Sequence, residues 1–328
     1  MAPQRVAIAL AAAAAVQFLA LALAPPVAHA QAYPAKPVRI VVSWPPGGSN
    51  DVVARVMAQR LTENVGQAFV VENRAGATGT IGSDVVAKSP PDGYTVLVNS
   101  ATHIANAHIY KKLPYDTMRD LTGVAPLAVQ IGMLVVHPSL PVTSVKELIA
   151  LAKARPNDIA WASTGTGSYT WLTMALLLQM TGAKMLEVNY KGGGPATIAL
   201  AAGETQVFFV GIGSLMAALP AKRVRPLAVA SVKRLRAFPD IPTVAETVPG
   251  YEMTAWIGSF VPAATPRPIV ERLNIEFQKA LEHPSATKIL GAQALDPMPM
   301  TPDEFAARLR SDYDKYERII RTTGARQQ

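Results

Sequence analysis

The chain has 328 residues, no cysteine, and 31 lysines and arginines against 23 aspartates and glutamates, a formal net charge of +8. Without a thiol it can form neither a disulfide framework nor a thiolate zinc site, and it offers no cysteine for lipid attachment. Its basic residues are scattered, with one modest cluster at Lys222, Arg223, Arg225, Lys233, Arg234 and Arg236, so the excess speaks for small anions and no nucleic acid is expected as a partner.

Arg5 precedes an apolar run over 6–24, followed by Pro25, Pro26 and the small-residue triplet Ala28-His29-Ala30. This pattern predicts a secretory signal peptide over 1–30, cleaved after Ala30. A membrane anchor is the competing reading, but prolines interrupt the run and no stop-transfer charges follow it. Cleavage leaves about 300 residues, a size at which one hydrophobic core tends to divide, so two lobes are expected.

Short β-branched runs alternate with longer helical patterns from position 38 onward. Strands are predicted over 38–43, 69–72 and 95–99, with helices over 51–65 and 80–88. After an apolar segment at 127–137 the order restarts. A helix over 144–155 opens with Ser144 and Glu147 at capping-box spacing, and strands follow at 159–162, 186–189, 207–210 and 227–230, with helices at 169–180 and 195–202. A strand at 253–261 leads into a helical tail over 267–281, 284–293 and 302–322, where Thr301 and Glu304 form a second capping box with Pro302 at the first helical position. Such alternation argues for an α/β fold of βαβ units around mainly parallel strands.

Four strand-to-helix junctions are rich in glycine and small hydroxyl residues, two in each half. The first half carries Trp44-Pro45-Pro46-Gly47-Gly48-Ser49-Asn50-Asp51 and the stretch 72–80, in which Ala77, Thr78, Gly79 and Thr80 begin the helix. In the second half lie Ser163-Thr164-Gly165-Thr166-Gly167-Ser168 and Tyr190-Lys191-Gly192-Gly193-Gly194-Pro195. A helix start leaves backbone N–H groups unpaired at the positive end of the macrodipole, and glycine lets a ligand approach them closely. In an open parallel sheet these junctions sit at the carboxyl edge of the strands, where ligands bind. The plainer reading is that tight turns and helix caps need such residues anyway.

None of the four is a nucleotide motif: there is no Gly-Lys-Ser/Thr, and Gly76, Gly79 and Gly82 are spaced wrongly for a dinucleotide fingerprint. His103, His108, His137 and His283 lack metal-ligand spacing, and neither a Gly-x-Ser-x-Gly elbow nor a Ser-x-x-Lys pair occurs. No cofactor, metal site or catalytic residue is expected. A hydrolase would need a base beside Ser49, Ser163 or Ser168, and no histidine lies near them in sequence.

At these same junctions the chain resembles the TctC/Bug family, the extracytoplasmic solute receptors of tripartite tricarboxylate transporters. The resemblance runs from Tyr33-Pro34-Ala35-Lys36-Pro37 through 33–51, 70–82, Pro91-Asp92-Gly93-Tyr94, 190–196, Pro239-Asp240-Ile241-Pro242-Thr243 and Pro249-Gly250-Tyr251 to Arg272-Leu273-Asn274. It implies a type II periplasmic binding fold, two α/β lobes joined by a hinge of two crossing strands. It also implies that carboxylate is held by backbone groups and ordered water at 46–51 and 75–80, with 163–168 and 191–193 from the other lobe. Two departures stand out. Where the family carries His-Leu and then Glu, this chain has Trp171-Leu172 and Ala175, and where an Asp is common it has Ala199.

Together these readings place lobe one at 31–129 plus 259–328 and lobe two at 130–258. The expected protein is a free periplasmic monomer that captures a carboxylate and delivers it to membrane permease subunits. Ligand contacts are expected from Trp44, Pro46, Gly47, Gly48, Ser49, Asn50, Asp51, Ala77, Thr78, Gly79 and Thr80 on one side. Ser163, Thr164, Gly167, Ser168, Trp171, Lys191 and Gly192 are expected to supply the other. With Trp171 overhanging the cleft, an aromatic or partly apolar carboxylate is favoured over citrate-like polyanions. Alternative roles are partnership with a sensor ectodomain, an exported hydrolase, or the effector domain of a transcription regulator, the last opposed by the signal peptide.

Overall fold

A computed structural model describes residues 33–324 apart from Ala217; the expected signal peptide over 1–30 lies outside the described residues. The first unit comprises β1 (Val38–Val42), α1 (Ser49–Val65), β2 (Phe69–Asn73), α2 (Thr80–Ala87), β3 (Thr95–Ser100) and α3 (Thr102–Ile109). The β-branched run of β1 is buried almost throughout, as a strand covered on both faces requires. It pairs in parallel with β2 on one side and β3 on the other. Helix α3 was not predicted, because its polar His103 and Asn106 break the apolar pattern, yet both are buried. The His103 ring lies against Tyr115 and Phe260.

The segment read as an isolated apolar run is the second part of β4 (Leu121–Val136), a strand of 16 residues. After it come α4 (Val145–Ala154), β5 (Ala160–Ser163), α5 (Tyr169–Thr181), β6 (Leu186–Asn189), α6 (Gly193–Ala202), β7 (Val207–Gly211) and β8 (Arg225–Val229). Strand β5 is parallel to both β6 and β7, so this half repeats the build of the first. The chain then runs through β9 (Thr254–Pro262), α7 (Arg267–Glu282), α8 (Pro284–Ala292), the two-residue β10 (Asp296–Pro297) and α9 (Pro302–Thr323).

Strands β4 and β9 join the halves, the overall order being β2-β1-β3-β9-β4-β7-β5-β6. Residues 121–131 of β4 pair antiparallel with β9, and Gly132 to Val136 pair with β7. The handover falls between Ile131 and Gly132. Register shifts at Gly123/Ala125 and Pro126/Ala128 mark bulges in the β4–β9 ladder.

Helix α9 lies against this crossing. Gly123 on β4 and Gly258 on β9 make room for its Phe305 ring: a Cβ built at either glycine would come within 2.7 Å of a ring carbon. Phe305 is fully buried and meets Trp256 edge to face, with centroids 5.2 Å apart. The Trp256 indole N–H donates to Asp312 two turns further along α9, at 2.7 Å. At the start of α9, Thr301 and Glu304 form the reciprocal capping box that the sequence indicates. At Ser144 the box is only half made, since the Glu147 carboxylate accepts from the Thr143 amide instead.

Candidate ligand-binding cleft

The carboxyl ends of β1 and β7 open onto a common cleft. Into it point two helix starts from opposite halves of the sheet, α1 behind Gly48 and α6 behind Gly192. Neither N-cap is satisfied by a side chain, so the first-turn amides of both helices are offered to whatever occupies the space. Val210, Pro45, Pro46 and Pro195 give the cleft apolar patches. Among the described residues, no lysine, arginine, aspartate or glutamate lines it.

The loop entering α1 is held in place by side chains behind it. The Trp44 indole N–H donates to Asn99 at 2.9 Å, and Asn73 donates to the Trp44 carbonyl at 3.0 Å and to Asp51 at 2.9 Å. Asp51 also accepts from the Gly47 amide at 3.0 Å and from Arg55 at 2.9 Å. Gly47 takes a φ of 83°, which glycine alone adopts without strain. Burial would raise the Asp51 carboxyl, but hydrogen bonds from Arg55, the Gly47 amide and Asn73 outweigh it and hold the group below its ordinary value.

Because the folded value is depressed, the stability supplied by this clamp is present above the unfolded-state pKa of about 4 and is lost as pH falls through the folded one. We expect acid unfolding to begin below about pH 4, and Asp51→Asn to lower stability at pH 7 by about 1–3 kcal/mol while flattening the acid limb. Urea unfolding of both proteins across pH 3–7 measures this, and parallel curves would refute it.

In the second half, Ser168 caps α5 by accepting from the Trp171 amide at 3.2 Å. Thr170 draws the preceding loop inward: its hydroxyl accepts from the Thr164 amide at 3.0 Å and bonds the Ser168 hydroxyl at 3.0 Å. Tyr169 reaches the crossing strands, donating to the Met253 carbonyl at 2.9 Å, and its burial raises the phenol's pKa so that it stays a neutral donor. The halves touch across the cleft mouth. A Cβ built on Gly192 would lie 3.1 Å from Pro45 Cγ, and one on Gly165 would lie 3.4 Å from Thr78 Oγ1.

Of the residues expected to contact ligand, Trp44, Pro46, Gly48, Ser49, Asn50, Thr164 and Gly192 line this cleft. The others do not line it, although Thr78 stands at its mouth. Gly47 and Asp51 turn into the loop clamp. Ala77, Thr78, Gly79 and Thr80 form a tight left-handed turn, with φ of 44° and 54° at the first two, pinned by Asn106 and Tyr110 through the Ala77 and Thr78 carbonyls. Ser163 donates to Glu187, Gly167 packs on Ile109, Ser168 is spent as a cap, and Lys191 projects to the surface.

Trp171 requires a correction. Its indole N–H donates to Glu187 at 2.8 Å, and the ring lies with Ala175 in a separate surface groove beside Trp161. Packing of Leu172, Met174 and Leu177 into the core sets the roll of α5 and turns the Trp171 face away from the cleft.

Pro45, Gly193, Gly194 and Pro195, from junctions already singled out, also line it, as does Tyr169 at the start of α5; Ser100, Gln130, Thr170, Val210, Gly211 and Ser214 were missed. A signal was available for two of them, since Gly211-Ile212-Gly213-Ser214 is a fifth glycine-and-serine junction at a strand end. Gln130 announces itself only as a lone polar residue inside an apolar run.

Comparison with known proteins agrees with this architecture. The sequence profile of the family described as TctC, tripartite tricarboxylate transporter family receptor, matches residues 53–325. Protein BugT of Bordetella pertussis is 35% identical over 313 residues, covering 94% of this chain and 96% of its own. The solved structure of Rpa4515 of R. palustris with adipate superimposes with a TM-score of 0.86 at 35% identity, covering 89% of this chain and 98% of that one. MatC of Rhodopseudomonas palustris with bound malate gives 0.83 at 29% identity, covering 88% and 100%. These structures share the two-lobed α/β periplasmic-binding-protein fold. The chain belongs to the family of tripartite tricarboxylate transporter receptors, which are solute-binding proteins and not enzymes.

Proposed function

We propose that this protein captures a small, partly apolar carboxylate between its two lobes in the periplasm and delivers it to the membrane subunits of a tripartite transporter. The observation that carries this reading is the pair of uncapped glycine helix starts, at Gly48 and Gly192, that face one cleft from opposite halves. Backbone amides at such positions suit a carboxylate. The adipate and malate held by two relatives are carboxylates, and receptors of this family are periplasmic binding proteins.

In this reading residues 1–30 are a leader removed on export, and the mature protein is a free monomer. Lobe one comprises 31–129 with 259–328, lobe two comprises 130–258, and the crossing strands between them are the hinge. Trp44, Pro45, Pro46 and Val210 favour a ligand with an apolar carbon skeleton. Trp171 does not enter this argument, which leaves Trp44 and Tyr169 as the aromatic surfaces.

Two measurements test the proposal together: mass spectrometry of ligand released on denaturing fresh protein, and a thermal-shift screen of mono-, di- and tricarboxylates. A cognate carboxylate at a hundred times its Kd is expected to add about 2.7 kcal/mol of stability. No released carboxylate and no shift with any of them would overturn the reading.

A further inference from the structure

Two side chains at the hinge end of the cleft have work left undone. Asn50, at the second position of α1, and Gln130, on β4 opposite Ala255, each expose only 7% of their surface. The amide oxygens of both are buried and accept no hydrogen bond. Among the described residues neither side chain is hydrogen-bonded through its nitrogen. Both line the cleft. Gln130 Nε2 and the hydroxyl of Ser49, the residue beside Asn50, each lie 3.0 Å from a Cβ built on Gly211.

A buried primary amide needs a donor for its oxygen and an acceptor for its nitrogen. A bare carboxylate satisfies only the nitrogen. A hydroxyl or amide N–H on the ligand would satisfy the oxygen. An ammonium could also donate, but among the described residues no aspartate or glutamate lines the cleft to balance its charge. We infer that the ligand of this cleft bears, beside its carboxylate, a neutral hydrogen-bond donor, a hydroxyl or an amide N–H, and that Gln130 and Asn50 are the residues that select for it.

This inference rests on the carboxylate-capture reading, and its test separates the two. Calorimetric titration of matched pairs, succinate against malate and adipate against α-hydroxyadipate, holds charge constant while adding one hydroxyl. The hydroxylated member is expected to bind about 10- to 100-fold more tightly, and aspartate no better than succinate. Gln130→Met keeps the shape and removes the amide. It is expected to bring each pair within about threefold while leaving the ligand-free protein at least as stable in urea, because the variant buries no unpaired oxygen.

Parity within each pair in the wild-type protein would overturn the inference while leaving carboxylate capture standing, as would a hydroxyl preference that survives Gln130→Met in a folded variant. Tighter binding of aspartate than of malate would overturn it too. If none of these probes binds and no carboxylate stabilises the protein, both readings fall.

Discussion

Replacing Gly192 by valine is expected to weaken carboxylate binding about 100-fold while leaving the fold intact. The backbone there has a φ of 127°, a conformation that costs an ordinary side chain on the order of 1–3 kcal/mol. The new Cβ would also stand 3.1 Å from Cγ of Pro45, on the opposite side of the cleft. A proline ring gives way poorly, so the branched side chain wedges the lobes apart and misaligns the start of α6. A combined loss of about 2.7 kcal/mol corresponds to the hundredfold change. Gly48→Val is the companion variant. At Gly48 the nearest atom to a built Cβ is the Pro45 carbonyl oxygen at 3.8 Å, so the backbone tolerates the change and only the close approach of ligand is lost. Calorimetry decides the matter, with circular dichroism as the control for folding. Wild-type affinity in Gly192→Val would show that the glycine junctions do not form the binding surface.

Phe305→Ala is expected to have the largest effect on stability, a loss of about 3–5 kcal/mol. The ring is fully buried, stands in the notch left by Gly123 and Gly258, and packs on Trp256 and Phe260 with centroids 5.2 and 5.6 Å away. The strand positions beneath the ring, Gly123 and Gly258, carry no side chain that could move into the vacated space. Removing the ring therefore leaves a cavity at the crossing of β4 and β9 and slackens the seat of α9. Urea unfolding monitored by tryptophan fluorescence reports the loss, because Trp256 lines the cavity. A change below about 1 kcal/mol would mean that α9 contributes little to the crossing.

Much of the fold was legible because buried parallel strands carry continuous β-branched runs, as in Val38-Arg39-Ile40-Val41-Val42. Strand β4 was read only from residue 127 because Gly123 and Pro126 look like breakers; in the structure they are bulge sites where the ladder skips a residue. Helix α3 was missed for the opposite reason, polar letters at buried positions. In the site, helix starts could be read from glycine and hydroxyl residues, which is how Gly48 and Gly192 were found. Which way a helix rolls could not. Spacing placed Trp171 and Ala175 on one face, and they do share a groove, but the core contacts of Leu172 and Leu177 decide where that face looks. Gln130 was illegible because nothing local distinguishes a polar residue aimed at a ligand from one aimed at solvent.

Among the described residues no formal charge lines the cleft, which has a consequence for how its grip responds to salt. Dissolved ions screen interactions between exposed charges over about 10 Å at 0.1 M salt. Amide dipoles buried within a closed site act over a few ångströms, inside a space from which those ions are shut out. A grip made of helix-start amides and neutral side chains therefore changes little as the ionic strength of the surroundings rises and falls. Arginine-based recognition gains strength in fresh water and forfeits part of it in brine. This cleft trades that gain for constancy.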